Sequence, residues 1–140
     1  MKCWGNGQDG QLGDALDLQG STSGHISNKP VDVNGLSSGV RWLTARGDLS
    51  CVVTAARAIQ CWGRSTSVPT QIAGFESGYE RVFIGGARGY GAQVVCGVTT
   101  AGEAKCMSTG SKESPMLGRG TDKQTEATVP VTVSGLTSGV

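Results

Sequence analysis

The chain has 140 residues, 12 basic and 11 acidic side chains, a net charge of +1 and an AVILMFWYC share of 37%. That length holds one domain with one modest core, and near-neutrality without a charge block argues against an electrostatic grip on nucleic acid or an anionic membrane. Glycine takes 23 positions without a Gly-X-Y period, which excludes collagen, and no apolar run reaches the ~18 residues of a membrane span. Along the chain, short runs of bulky residues alternate with Gly-rich turns. Pro30-Val31-Asp32-Val33 reads as an edge strand, because a leading proline cannot donate to a ladder. Val40 to Thr44 follows as a strand, then Cys51 to Thr54 and Ala58 to Trp62 around a short turn. Glu80 to Ile84, Val94 to Val98 and Glu103 to Met107 repeat that series, and Pro130 to Val133 closes it as a second edge strand. No window keeps a helical period for as many as about ten residues. The fold class expected is all-β.

Two motifs recur. Cys-Trp-Gly stands at Cys3-Trp4-Gly5 and Cys61-Trp62-Gly63, with a degenerate copy at Cys106-Met107-Ser108. Each is followed by a frame that runs from a proline to two glycines: Pro30, Gly35, Gly39; Pro69, Gly74, Gly78; Pro130, Gly135, Gly139. The spacings inside the frame are constant, five residues and then four. Between motif and frame the connectors vary, 27, 8 and 24 residues from cysteine to proline. Fixed frames joined by variable connectors are structural elements joined by loops. Gly10-Gln11-Leu12-Gly13 has a weak echo at Met116-Leu117-Gly118-Arg119-Gly120-Thr121 and no counterpart in the middle copy. The division expected is a partial repeat over 1–39, a repeat over 40–78, and a repeat with the start of the next over 79–140. The chain opens inside one repeat and closes inside another, as a piece of a longer protein does. The absence of a signal-peptide core after Met1 therefore says nothing about export.

Cys51 and Cys61 lie ten residues apart, as do Cys96 and Cys106, and each pair brackets a predicted hairpin. Residues equidistant from a hairpin turn face each other at about 4.5–5.5 Å between Cα atoms, which suits a disulfide. Two cross-strand bridges are the favoured reading. Buried reduced thiols, which pack as small apolar groups, are the alternative. Metal ligation ranks behind both, because no Cys-x2-Cys exists and the single histidine, His25, lies far from either pair. Cys3 remains unpaired, and thiol counting on unreduced protein is expected to find it alone. Bridges imply an oxidising compartment, extracellular, cell-surface or periplasmic.

These residues together resemble the regulator of chromosome condensation repeat in its cysteine-rich bacterial form. Cys51-Val52-Val53-Thr54, Cys61-Trp62-Gly63, Gly10-Gln11-Leu12-Gly13 and the three Pro-to-Gly frames carry the resemblance, which spans the whole chain. Leu49-Ser50 and Val94-Val95 stand where that family often has His-Thr. The resemblance implies a β-propeller of four-stranded blades. About two and a half repeats are present, and a propeller closes with roughly four to eight blades, so an incomplete propeller fragment is expected, with apolar edges open to self-association.

Several segments invite a functional reading. Arg46-Gly47-Asp48 is an integrin-type tripeptide, yet Gly47 already belongs to the repeat, aligning with Gly86. Asn6 to Gly10 with Asp14 has oxygen ligands for a cation but lacks the acidic spacing of a calcium loop, and a tight turn is the better account. Trp4, Trp42 and Trp62 are expected in the core. From Gly47 to Cys51 is four residues, and from Gly86 to Cys96 is ten, so six residues around Arg88 and Tyr90 are inserted. Insertions in repeat proteins fall in loops, often on the binding face, and Tyr and Arg are enriched at interface hot spots. With one histidine, no nucleophile–base dyad can be assembled, and no phosphate loop, metal set or cofactor fingerprint is present. The expected function is a non-catalytic module that presents loops to a protein partner from a secreted or surface bacterial propeller. The alternatives weighed are a secreted inhibitor of the β-lactamase-inhibitor type, built on a similar repeat, and, ranked last, nucleotide exchange on a small GTPase.

Overall fold

Bulky residues at alternate positions, with glycines in the left-handed region at chain reversals, drive this chain into strands. The computed structural model describes residues 1–16, 25–64, 66–86, 93–109, 117–120 and 129–140. Those residues form ten β-strands and no α-helix: β1 (Lys2–Asn6), β2 (Ile26–Asp32), β3 (Val40–Arg46), β4 (Leu49–Thr54), β5 (Ile59–Gly63), β6 (Thr66–Gln71), β7 (Tyr79–Gly85), β8 (Val94–Thr99), β9 (Ala104–Ser108) and β10 (Val131–Thr132). Two antiparallel sheets of four strands run in chain order, β3-β4-β5-β6 and β7-β8-β9-β10, and β1 and β2 form a two-stranded sheet. The repeat aligns β1 with β5 and β9, and β2 with β6 and β10. Each proline-led segment therefore ends a sheet, where a missing N–H costs least. β6, around Pro69, is a third such edge that the run of bulky residues did not mark.

The repeats share their irregularities. A bulge interrupts the ladder between Val40 and Trp42 and again between Tyr79 and Arg81. Another falls between Cys3 and Gly5 and between Cys61 and Gly63. A bulge bends and twists the strand that carries it, so equivalent sheets coil alike and can stack.

The core lies between stacked sheets. Leu49, Cys51, Val53 and Ile59 on one sheet meet Val82, Ile84, Val95 and Met107 on the next, with Phe75 from the turn between β6 and β7 and Tyr79 from the start of β7. On the opposite face Val52 and Trp62 meet Val33 and Leu36, flanked by Met1, Cys3 and Val40. Successive residues of β4 thus point into different interfaces, and Leu49 to Val53 are all buried. The far face of β7-β8-β9-β10 carries Val94, Cys106 and Leu117, with Cys96, Val131 and Val133 beside them, and no further sheet covers it among the described residues. Four-stranded antiparallel sheets stacked face to face in chain order are the blades of a partial β-propeller.

Candidate interaction surface

The hairpin β3–β4 turns at Gly47 (φ +62°). On either side of that turn, Arg46 Nε donates to the carbonyl of Gly86 at 3.0 Å, and Asp48 Oδ1 accepts from Gln93 Nε2 at 3.0 Å. Gln93 is 2% exposed, and its own carbonyl accepts from the backbone N–H of Thr109 at 2.9 Å. The Arg46-Gly47-Asp48 tripeptide is therefore a clasp between sheets, its two charged side chains turned to the neighbouring blade. Gly86 and Gln93 are the two ends of the inserted connector. Arg88 and Tyr90 themselves fall in 87–92, outside the described residues, as do 17–24, 110–116 and 121–128 of the longer connectors.

Cys51 and Cys61 face each other directly in the β4–β5 ladder, with Cα atoms 4.1 Å apart, and are joined by a disulfide. Cys96 and Cys106 do the same between β8 and β9, also at 4.1 Å. Cys3 is free and half-buried. Burial holds its thiol above the usual range; the N-terminal ammonium opposes this and the Asp14 carboxylate adds to it. Its partner in β2 is Val31, and β1 has no strand on its other edge among the described residues.

The three tryptophans have different fates. Trp62 is 1% exposed and donates from Nε1 to the carbonyl of Gln11 at 2.8 Å, so the Gly10-Gln11-Leu12-Gly13 segment caps the next blade's tryptophan. Trp42, also expected in the core, is instead 37% exposed. It bridges blades by donating from Nε1 to the Val82 carbonyl at 3.0 Å, under the Arg81 guanidinium and against the edge of Phe83. Trp4 overturns the expectation of a core position: it is 67% exposed, because among the described residues no sheet lies on the outward face of β1 and β2 as one does over Trp62. Trp4, Cys3, Leu12, Leu43, Ala45 and Ser50 are among the residues lining a groove of about 440 Å³ beside the free edge of β1. Leu43, at 51% exposure, is its apolar flank.

Asn6 to Gly10 forms the tight turn expected, with Asn6 Oδ1 accepting from the N–H of Gln8 at 2.8 Å and the Gly7 carbonyl accepting from that of Gly10 at 3.0 Å. Asp14 turns instead to His25, Oδ2 to Nε2 at 2.8 Å. This pair closes the connector onto its own start, since the His25 carbonyl also accepts from the Gly7 N–H at 2.7 Å. No spacing rule marks two residues 11 apart in an irregular loop as partners.

No family model and no curated protein matches the chain. Its structure is similar to the crystal structure of human WBSCR16, with a TM-score of 0.58 and 20% sequence identity over 95% of this chain and 32% of that one. The chain thus spans about a third of that protein's length, and at this identity the likeness is one of fold: stacked antiparallel blades of a β-propeller.

Proposed function

We propose that this chain is a non-catalytic protein-interaction module, a diverged cysteine-rich propeller segment of the regulator of chromosome condensation type, which offers connectors to a protein partner. One observation carries the reading. The connector from Gly86 to Gln93 is longer than its counterpart by six residues, and both of its ends are tied to the β3–β4 turn of the neighbouring blade, through Arg46 and Asp48. A variable segment rooted in a fixed inter-blade clasp is how a rigid scaffold presents a recognition loop. Arg88 and Tyr90 lie within it. Two disulfides fit an oxidising setting, which supports display outside the cytosol and disfavours nucleotide exchange in a reducing nucleus. The test is affinity capture from material of the same surface or medium, with Arg88→Ala and Tyr90→Ala beside the natural chain. Loss of a genuine hot spot costs at least about 2 kcal/mol, roughly thirtyfold in affinity. Both variants should release the partner while keeping the natural unfolding midpoint. Unchanged capture by both would assign recognition to another connector.

A further inference from the structure

The chain holds three asparagines, and two of them, Asn6 and Asn34, precede a glycine. A glycine has no Cβ to shield its backbone nitrogen, so that nitrogen can reach the side-chain carbonyl carbon of the residue before it. The fold treats the two pairs differently. At Asn6-Gly7 the Gly7 N–H donates to the His25 carbonyl at 2.7 Å, and Asn6 Oδ1 accepts from the Gln8 N–H at 2.8 Å. A Cβ on Gly7 would stand 2.6 Å from the His25 ring, so the pair has no room to turn. Asp9-Gly10, the one aspartate–glycine pair, is held as well, with the Gly10 N–H on the Gly7 carbonyl at 3.0 Å.

Asn34-Gly35 is open on every count. Both residues are exposed, and among the described residues no hydrogen bond reaches the Gly35 N–H or the Asn34 side chain. A Cβ on Gly35 would meet nothing within 4 Å. The two residues form the centre of a β-turn closed by the Leu36 N–H on the Val33 carbonyl at 3.2 Å, with Gly35 at φ +69°. Type I and type II turns differ mainly in the orientation of that central peptide, so it can rotate while the closing bond stays made. The middle copy shows what the first lacks. There the equivalent Gly74 N–H is held by Glu76 Oε1 at 2.7 Å. The matching residue of the first copy is Ser37, which makes no such bond. The turn is exposed in the middle copy too, at Ala73 and Gly74, so the frame itself, rather than a chain end, places Asn34 in solvent.

We infer that Asn34 is a site of spontaneous covalent modification, losing its amide as ammonia and leaving a mixture of aspartate and isoaspartate. The Gly35 nitrogen gives its proton to solvent and bonds to Asn34 Cγ. The Cγ–Nδ2 bond breaks, and Nδ2 leaves as ammonia with a proton from solvent, so that a cyclic imide remains. Water opens the imide at Cγ to give aspartate, or at the backbone carbonyl to give isoaspartate, whose main chain then runs through Cβ. Water is the sole co-reactant, and nothing is oxidised or reduced. The new carboxylate, and in isoaspartate the added main-chain atom, fall between Val33 and Leu36, 3% and 4% exposed, which pack with Trp62. They also adjoin the bond from the Asn34 N–H to the Gly13 carbonyl, 2.7 Å long. The change therefore registers at the seam between the sheet of β1 and β2 and its neighbour. It is separate from the connector-borne recognition proposed above.

Incubating the natural folded chain in mildly alkaline buffer, with tandem mass spectrometry of digests taken over time, tests it. Asn34 should gain the mass difference between a carboxyl and an amide group and split into two isomers, while Asn6 and Asn28 stay intact. An isoaspartate-specific methyltransferase should label the same position. In urea the two asparagine–glycine pairs should react at comparable rates, because only the fold separates them. Ser37→Glu supplies the carboxylate that Gly74 already has, at an exposed position. It should slow the loss at least about tenfold, the worth of one charge-assisted hydrogen bond. An Asn34 that survives as long as Asn6 in the folded protein overturns the inference, and this arm needs no variant to fold. So does a Ser37→Glu chain that loses ammonia at the natural rate, since the free Gly35 N–H would then not be what opens the site. None of these outcomes touches capture through Arg88 and Tyr90.

Discussion

Gly63 and Gly5 hold the same place in the Cys-Trp-Gly motif and both have positive φ, +101° and +108°. A Cβ on Gly63 would stand 1.9 Å from the Asp48 carbonyl oxygen, whereas one on Gly5 would meet nothing within 4 Å. Gly5→Ala should cost only the backbone strain of the left-handed region, about 1–3 kcal/mol. Gly63→Ala should cost more, because the β3–β4 turn must also move, and the Arg64 N–H loses the Asp48 carbonyl it now reaches at 3.1 Å. Chemical denaturation of the two variants side by side measures the difference, and equal midpoints would remove the clash from the account. Cys3 gives a pH-dependent counterpart. Burial raises its thiol above the ordinary value, so the folded chain keeps a proton that the unfolded chain has released. That contribution to stability is intact at low pH and is lost as pH rises through the folded value. Alkylation of Cys3 in native protein should reach half its limiting rate at a higher pH than in urea; coincident profiles would show that the thiol is not desolvated.

At the scale of the strand, β4 shows what a sequence reading sees and what it misses. Cys51-Val52-Val53-Thr54 lacks the alternation of a half-buried strand, because Val52 faces the sheet of β1 and β2 while Cys51 and Val53 face that of β7 to β10. A strand covered on both faces reads as a continuous apolar run, so its existence was legible and its two-sided packing was not. The hairpin partners were legible through the ten-residue cysteine spacing, since register in a hairpin follows from symmetry about the turn. Contacts between blades left no comparable mark: Arg46 to Gly86 and Trp42 to Val82 each span 40 residues, and only the repeat period hints at them. β1 differs again. Its motif predicted a buried Trp4, which holds only where another sheet supplies the cover. Val52→Ala and Val53→Ala remove the same atoms from fully buried sites, and each should cost about 2 kcal/mol. If only Val53→Ala proved costly, the β1–β2 sheet would not be packed on its neighbour in solution.

The whole molecule is a stack in which each sheet depends on the next for its core, an arrangement whose stability is a sum of local units and nearest-neighbour contacts. Both covalent bridges lie within a sheet, β4 to β5 and β8 to β9, and none crosses from one sheet to another. The bridges therefore harden the blades and leave the seams between them to side-chain packing. Under a mechanical load applied at the two ends, the seams are the parts free to open. Tension then runs through the sulfur atoms and skips the chain between each bonded pair. Ten residues drawn out fully span about 35 Å, so reducing both bridges under load should lengthen the extended molecule by about 60 Å, nearly twice the reach of one such segment. Single-molecule extension with and without reductant reads that increment directly, and an unchanged contour length would show that the hairpins were never bridged. A protein assembled this way yields first at the joints between its sheets, and the two bridged hairpins keep their shape until their thiols are set free.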